Sequence, residues 1–248
     1  MTITYRGNQI NKGLNRAANT YKGRCNIYTG AQLKIEILDG RKDKMPSTGT
    51  AVLVDILRST TTMPIILKQN ASYILPCATI KKARGIKREH PDYVIAGERY
   101  GFKVPRFDFG NSPSEVWGID FSGKVVIFTS TNGTKILEKI PLDHVFISSF
   151  VNASATYRAI SKEKEVHIIA SGRPDGYADE DFIYAEYLES LLKKESPSFQ
   201  EYRKKILGSS GAKRLSLIGF GRDLEYAVKL DSVDFPVIAK EGRIFRYE

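Results

Sequence analysis

From residue 33 onward, short apolar runs alternate with longer polar stretches of helical composition, and the alternation persists to the end of the chain. Residues 33–38 switch between apolar and polar with the period of a half-buried strand. Strands are predicted over 50–56, 73–75, 93–96, 124–128, 144–148, 166–170 and 215–218, with a late pair around Val237 and Ile244. Helices are predicted over 60–69, 79–89, 133–139, 152–161, 179–194, 198–207 and 223–230. Strands alternating with helices give the α/β class. The expected architecture is a three-layer α/β/α arrangement on a largely parallel or mixed sheet, in one body or two lobes. The polar loop 207–212 is the one soft joint in this pattern.

Polar residues concentrate where the apolar runs end, which is where an α/β fold places its ligands. The run 50–56 closes on Asp55 and is followed by Arg58, Ser59, Thr60, Thr61 and Thr62. Ser59 or Thr60 reads as the cap of a helix that tolerates Pro64 in its first turn. Strand, polar turn and helix make an anion cradle. The first amides and hydroxyls would bind phosphate, Arg58 would grip it as a fork, and Asp55 would hold a metal or attack phosphorus.

Four later segments repeat the arrangement. Gly97, Glu98, Arg99 and Gly101 lead into Arg106, Asp108, Gly110, Asn111, Ser112, Pro113 and Glu115, where the Gly-Asn-Ser-Pro portion reads as a turn or a helix start. Thr129, Ser130, Thr131, Asn132, Gly133 and Thr134 form a hydroxyl-rich turn between a strand and a helix, a second candidate cradle. Ser171, Gly172 and Arg173 precede three acids, Asp179, Glu180 and Asp181, at a helix start; these acids either complement the helix dipole or bind Mg²⁺. Gly221, Arg222 and Asp223, followed by Asp231 and Asp234, make the vaguest of the four, whose acids either serve a site or are surface residues.

Neither turn carries the glycine and lysine pattern of a Walker A loop. Leu224 breaks the dinucleotide fingerprint begun by Gly219 and Gly221. Cys25, Cys77, His90, His144 and His167 assemble no zinc-ligand spacing, and no cysteine-phosphatase loop or Gly-X-Ser-X-Gly elbow is present.

Charge changes the picture only locally. The net charge is +10, but residues 1–44 hold nine Lys/Arg against three Asp/Glu, so +6 sits there and +4 in the remainder. Residues 1–32 read as a basic extension with little apolar periodicity, and 33–248 as the folded domain. With 42% hydrophobic residues the chain is long enough for a real core. No apolar run nears the roughly 18 residues that span a bilayer, and the first residues lack a signal-peptide core. A soluble cytoplasmic protein is expected.

Taken in order, the segments around Asp55, Glu98, Gly110, Thr131 and Glu180 resemble the 2-phosphosulfolactate phosphatase family, across most of 50–245. Ser59 stands where that pattern usually has alanine, and Glu186 where it has glycine. The resemblance implies a Mg²⁺-dependent acid phosphatase of the kind first known from coenzyme M biosynthesis, acting on a small anionic 2-hydroxy-acid phosphate. It implies Asp55 and Arg58 as catalytic residues. Metal ligands would come from Asp55, Glu98, Glu180 and Asp181. Substrate would be bound by Ser59, Thr60, Thr61, Arg99, Arg106, Asn111, Ser112, Thr131, Asn132, Gly133, Thr134 and Arg173. The expected partner is the phosphorylated substrate, with no membrane, no nucleic acid, and room for a homo-oligomer. The competing expectation is a non-catalytic anion-binding or nucleic-acid-associated protein that uses its basic N-terminus.

Overall fold

The computed structural model describes residues 33–174, 176 and 178–248; the basic extension over 1–32 lies outside them. Ten strands form one mixed sheet in the order β1-β8-β2-β7-β9-β10-β3-β6-β4-β5. They are β1 (Lys34–Asp39), β2 (Thr50–Val54), β3 (Tyr73–Pro76), β4 (Val94–Arg99), β5 (Phe102–Lys103), β6 (Val125–Thr129), β7 (His144–Ile147), β8 (Glu165–Ala170), β9 (Val237–Lys240) and β10 (Arg243–Arg246). The helices are α1 (Ser59–Lys68), α2 (Ile80–Glu89), α3 (Pro113–Val116), α4 (Gly133–Leu137), α5 (Ala153–Ile160), α6 (Asp179–Leu192), α7 (Phe199–Leu207), α8 (Ser210–Leu217) and α9 (Asp223–Ala227). None among the described residues is long and apolar enough to cross a membrane.

The continuous apolar run of β2 follows from its position between two cores. Ala51 and Leu53 face one, with Met63 and Ile66 of α1 and Ile136 of α4, while Val52 and Val54 face the other, with Tyr184 and Leu188 of α6 and Ile206 of α7. A strand covered on both faces has no polar side to show. A smaller cluster joins Ala83 of α2 to Ile95 and Ile127. The three-layer expectation is met.

Two parallel sets make up the sheet. β1, β8, β2 and β7 run one way, and β3, β6 and β4 run the other, with the antiparallel pair β9 and β10 between them. In a flat sheet the carboxyl ends of β2 and β6 would lie at opposite edges. Adjacent strands rotate by roughly 20–25°, and the five steps from β2 to β6 accumulate to the order of 100°. Residues at the carboxyl ends of β2, β4 and β6, namely Asp55, Glu98 and Thr131, line a common cleft.

One prediction of secondary structure fails outright. The run 215–218, expected as a strand, belongs to α8, which also absorbs the end of the expected loop 207–212. Ser209 caps α8 by accepting the Ala212 N–H at 3.1 Å. Within the helix Gly211, Ala212 and Leu215 are buried, whereas Leu217 is 86% exposed. That spacing is helical, and four consecutive apolar letters concealed it.

Candidate active site

β2 ends at Val54 and α1 begins at Ser59, so residues 55–58 form the joint that carries Asp55 and Arg58. The hydroxyls of this joint do not form a phosphate cradle. Thr60 Oγ1 accepts the Asp55 N–H at 3.0 Å, and the Oγ1 groups of Thr61 and Thr62 donate to the carbonyls of Ile56 and Arg58 at 2.9 and 3.1 Å. The amides are spent as well, that of Thr60 on Asp55 O and those of Thr61 and Thr62 on Arg58 O. Arg58 occupies the cap position, and no Ser59 or Thr60 side chain caps α1. Buried hydroxyls must find partners, and the backbone at a helix start offers the nearest ones. The Ser59 Oγ instead donates to Asp55 Oδ2 at 2.7 Å.

The turn after β6 spends its donors on acids. Thr131 N–H and Oγ1 donate to Glu98 Oε1 and Oε2 at 2.5 and 2.9 Å, and the Gly101 N–H adds a bond to Oε2 at 2.7 Å. Gly133 N–H donates to Asp55 Oδ2 at 2.9 Å. A Cβ at Gly133 would stand 2.8 Å from that oxygen, so this approach requires glycine. Thr134 is turned inward, accepting the Ser130 N–H at 3.0 Å. Both hydrogen bonds to Asp55 fall on Oδ2, which leaves Oδ1 for the cleft.

Asp55, Glu98 and Glu180 line one cleft of about 120 Å³, together with Arg58, Arg173 and Arg214. The volume suits a small molecule. Asn111 and Asn132 also line it. Asn111 Nδ2 donates to Ser59 Oγ at 3.3 Å, while its Oδ1 is buried with no partner among the described residues. Asn132 Oδ1 accepts from Arg41 Nη2 at 2.6 Å. Leu215 and Ile218 form an apolar wall.

The acids repel one another in low dielectric. Burial pushes the Asp55 carboxyl above its ordinary range; the Ser59 hydrogen bond opposes this and the nearby Glu98 charge adds to it. Glu180 is pushed up to about 7, mainly by burial and further by the Asp179 carboxyl, against the pull of Arg173. Arg173 Nη1 lies 3.4 Å from Glu180 Oε1, and Gly211 N–H donates to Glu180 Oε2 at 3.2 Å. The sign of the pH effect follows. The fold keeps the Glu180 proton between its ordinary value near 4.5 and about 7, whereas the unfolded chain loses it, so this group's stabilisation is lost as pH rises through that window. Glu180→Gln is expected to flatten the fall in Tm between pH 5 and pH 8, without abolishing it because Asp55 and Asp181 shift the same way. Thermal melts at the two pH values check this, and an unchanged slope would contradict it.

Several expected site residues lie elsewhere. Asp181 is a backbone clamp: Oδ1 accepts Ile56 N–H at 2.9 Å, and Oδ2 accepts Ser171 Oγ and Gly172 N–H at 3.1 and 3.2 Å. Arg99 turns its guanidinium to Glu98 O, Ala78 O and Thr129 Oγ1. Arg106 is exposed, outside the cleft lining. Ser112 caps α3, as the helix-start reading of that segment expects, and its Oγ donates to Asp223 rather than to a ligand. Thr60, Thr61 and Thr134 serve the backbone, as described above. Two residues escaped the sequence. Arg214 sat between the expected loop 207–212 and the expected strand 215–218, in neither. Asp223, in the vaguest candidate segment, is no surface acid: it is fully buried and pairs with Arg58 at 2.7 Å across 165 residues, a partnership with no local signal.

An α/β chain that gathers carboxylates and arginines in a small cleft at the carboxyl ends of its strands has the build of a hydrolase for an anionic ester, and comparison with known proteins makes it a phosphoric monoester hydrolase. The chain belongs to the 2-phosphosulpholactate phosphatase family, whose model matches residues 37–242. It is 42% identical over 211 residues to a probable 2-phosphosulfolactate phosphatase of Thermoplasma acidophilum, covering 85% of this chain and 94% of the relative. A protein of the same description from Thermoplasma volcanium is 38% identical, with 85% and 98% covered. The 2-phosphosulfolactate phosphatase of Methanocaldococcus jannaschii is 31% identical over 209 residues, covering 78% and 90%.

Proposed function

We propose that this chain hydrolyses 2-phosphosulfolactate to sulfolactate and phosphate, with Mg²⁺ in the cleft. The observation that carries the reading is the 2.9 Å bond from Gly133 N–H to Asp55 Oδ2, which ties the turn after β6 to the end of β2 on the wall of a cleft shared with Glu98 and Glu180. The substrate named for the relatives carries phosphate, carboxylate and sulfonate groups. A cleft that receives it must supply positive charge. Arg58, Arg173 and Arg214 supply part of that charge.

The donor set favours a divalent cation. Three carboxylates facing an anionic ester would repel it, and both hydroxyl-rich turns spend their hydroxyl groups on the protein itself. Among the described residues no three acidic, histidine or cysteine side chains gather into a metal cluster. Mg²⁺ needs only one or two carboxylates, completing its shell with water and phosphate oxygens. Asp55 and Glu98, which line the same cleft, would hold it. When bound, the ion neutralises phosphoryl charge and orients the ester.

The chain's own residues do the rest. Ser59 and Gly133 pin Asp55 Oδ2, so Oδ1 is presented in one direction to the phosphorus or to the attacking water. Glu98, held by three donors, cannot swing away. The arginines bind the anionic groups and stabilise developing charge. Nothing in the comparisons favours a non-catalytic or nucleic-acid-binding role.

The test is phosphate release from 2-phosphosulfolactate, phosphoglycolate, phospholactate and phosphoglycerates, each with Mg²⁺ and with a chelator. The expected result is turnover of 2-phosphosulfolactate at the highest kcat/KM, reduced to background by chelation and restored by added Mg²⁺. Equal rates with and without chelator would remove the metal, and inertness of every ester would remove the function.

A further inference from the structure

Arg58 lines the cleft, yet its terminal nitrogens are already committed. Nη1 donates to Asp223 Oδ2 at 2.7 Å, Nη2 donates to the Gly101 carbonyl, and the Phe220 ring centroid lies 4.4 Å from Cζ. A carboxylate, a carbonyl and a ring face therefore hold the guanidinium on three sides. Asp223 is itself fixed, because Oδ1 accepts from Ser112 Oγ at 2.5 Å, Ser114 Oγ at 2.6 Å and Ser114 N–H at 3.3 Å. Arg58 is 3% exposed and Asp223 fully buried. A pair this deeply buried is costly to desolvate, and one member without the other is costlier still.

We propose that Asp223 is a positioning residue that holds Arg58 as an oriented cation beside Asp55, making the segment from Phe220 to Asp223 part of the catalytic architecture. The inference rests on reading the cleft as a phosphoester site. Arg58 and Asp55 share the joint between β2 and α1 and line the same cleft. The role of Arg58 is thus to set the field at Asp55 and the phosphoryl group from a fixed place. One N–H of each Nη is engaged, so the guanidinium is anchored in place and meets an anionic ligand only through the N–H groups that remain. Without the Asp223 charge, the buried guanidinium leaves its slot for solvent.

The test is a double-mutant cycle on Asp223→Asn and Arg58→Lys, reading kcat and KM for 2-phosphosulfolactate and, independently of any ester, the affinity for inorganic phosphate by calorimetry. Asp223→Asn keeps the size of the side chain and can still accept from Ser112 and Ser114. Its kcat is expected to fall on the order of 10- to 100-fold, as when outer partners of a reactive group are removed, with a smaller change in KM. Phosphate affinity is expected to weaken as well. In both readouts the double variant should lose no more than the worse single variant. Ser114→Ala, which removes one bond to Asp223 but leaves its pair with Arg58, should lose markedly less kcat than Asp223→Asn. Multiplying losses in the cycle, or an equal loss in Ser114→Ala and Asp223→Asn, would overturn the proposal. Since phosphate binding runs the same cycle without turnover, a failed substrate assignment and a failed role for Asp223 give different results.

Discussion

Asp55→Asn is expected to release phosphate at a rate lower by on the order of a thousandfold or more, in a protein that still folds. Asparagine presents one carbonyl oxygen, which can take the place of Oδ2 and accept from both Ser59 Oγ and Gly133 N–H. The local structure therefore survives, and the amide that replaces Oδ1 neither attacks phosphorus nor binds a cation. Stability should move the other way. Burial raises the Asp55 carboxyl above its ordinary value, so keeping it ionised at neutral pH opposes folding, and a neutral side chain removes that cost. A dead variant with an equal or higher Tm at pH 7.5 is the expected pairing, measured by phosphate release and thermal melting. Loss of activity accompanied by a large fall in Tm would mean that Asp55 is a structural acid.

Gly97→Ala carries the largest expected effect on stability. Gly97 pairs with Thr129 between β4 and β6, at φ +151°. A Cβ there would lie 2.2 Å from the Thr129 carbonyl oxygen and 2.7 Å from its Cγ2. The first contact is backbone, so no rotamer relieves it. A cost of about 3 kcal/mol or more is expected, which in a domain of this size lowers Tm by roughly 6–12 °C. The strain falls between Glu98 and the Thr131 turn that holds it, so kcat of the folded fraction should fall too. A Tm within a degree of wild type would show that the two strands can part at little cost.

How far the sequence reached depends on whether the deciding contact was local. The α/β layering was legible because apolar runs bounded by polar turns need no partner to be seen. That Asp55, Glu98, Glu180 and the Thr131 turn would share a cleft was legible because each follows a strand or opens a helix. What remained hidden was the direction of donors. Serine and threonine beside a strand end look the same whether they face a phosphate or the chain's own carbonyls, and here Thr60, Thr61 and Thr134 face the chain. Glu180 and Asp181 are neighbours in one helical turn, but Glu180 enters the cleft while Asp181 fixes the backbone after Asp55. Asp223 needed the tertiary fold, since its meaning lies in Arg58.

The central claim is that Asp55, held jointly from α1 and the turn after β6, faces the phosphorus of a bound ester. The most direct measurement is a crystal structure of the inactive Asp55→Asn protein with 2-phosphosulfolactate and Mg²⁺. The account predicts phosphorus in the cleft, with the residue 55 side chain within roughly 3–3.5 Å of it or of an intervening water, and with Arg173 and Arg214 on the anionic groups of the acid. An ester bound at another surface, with this cleft holding only solvent, would contradict it.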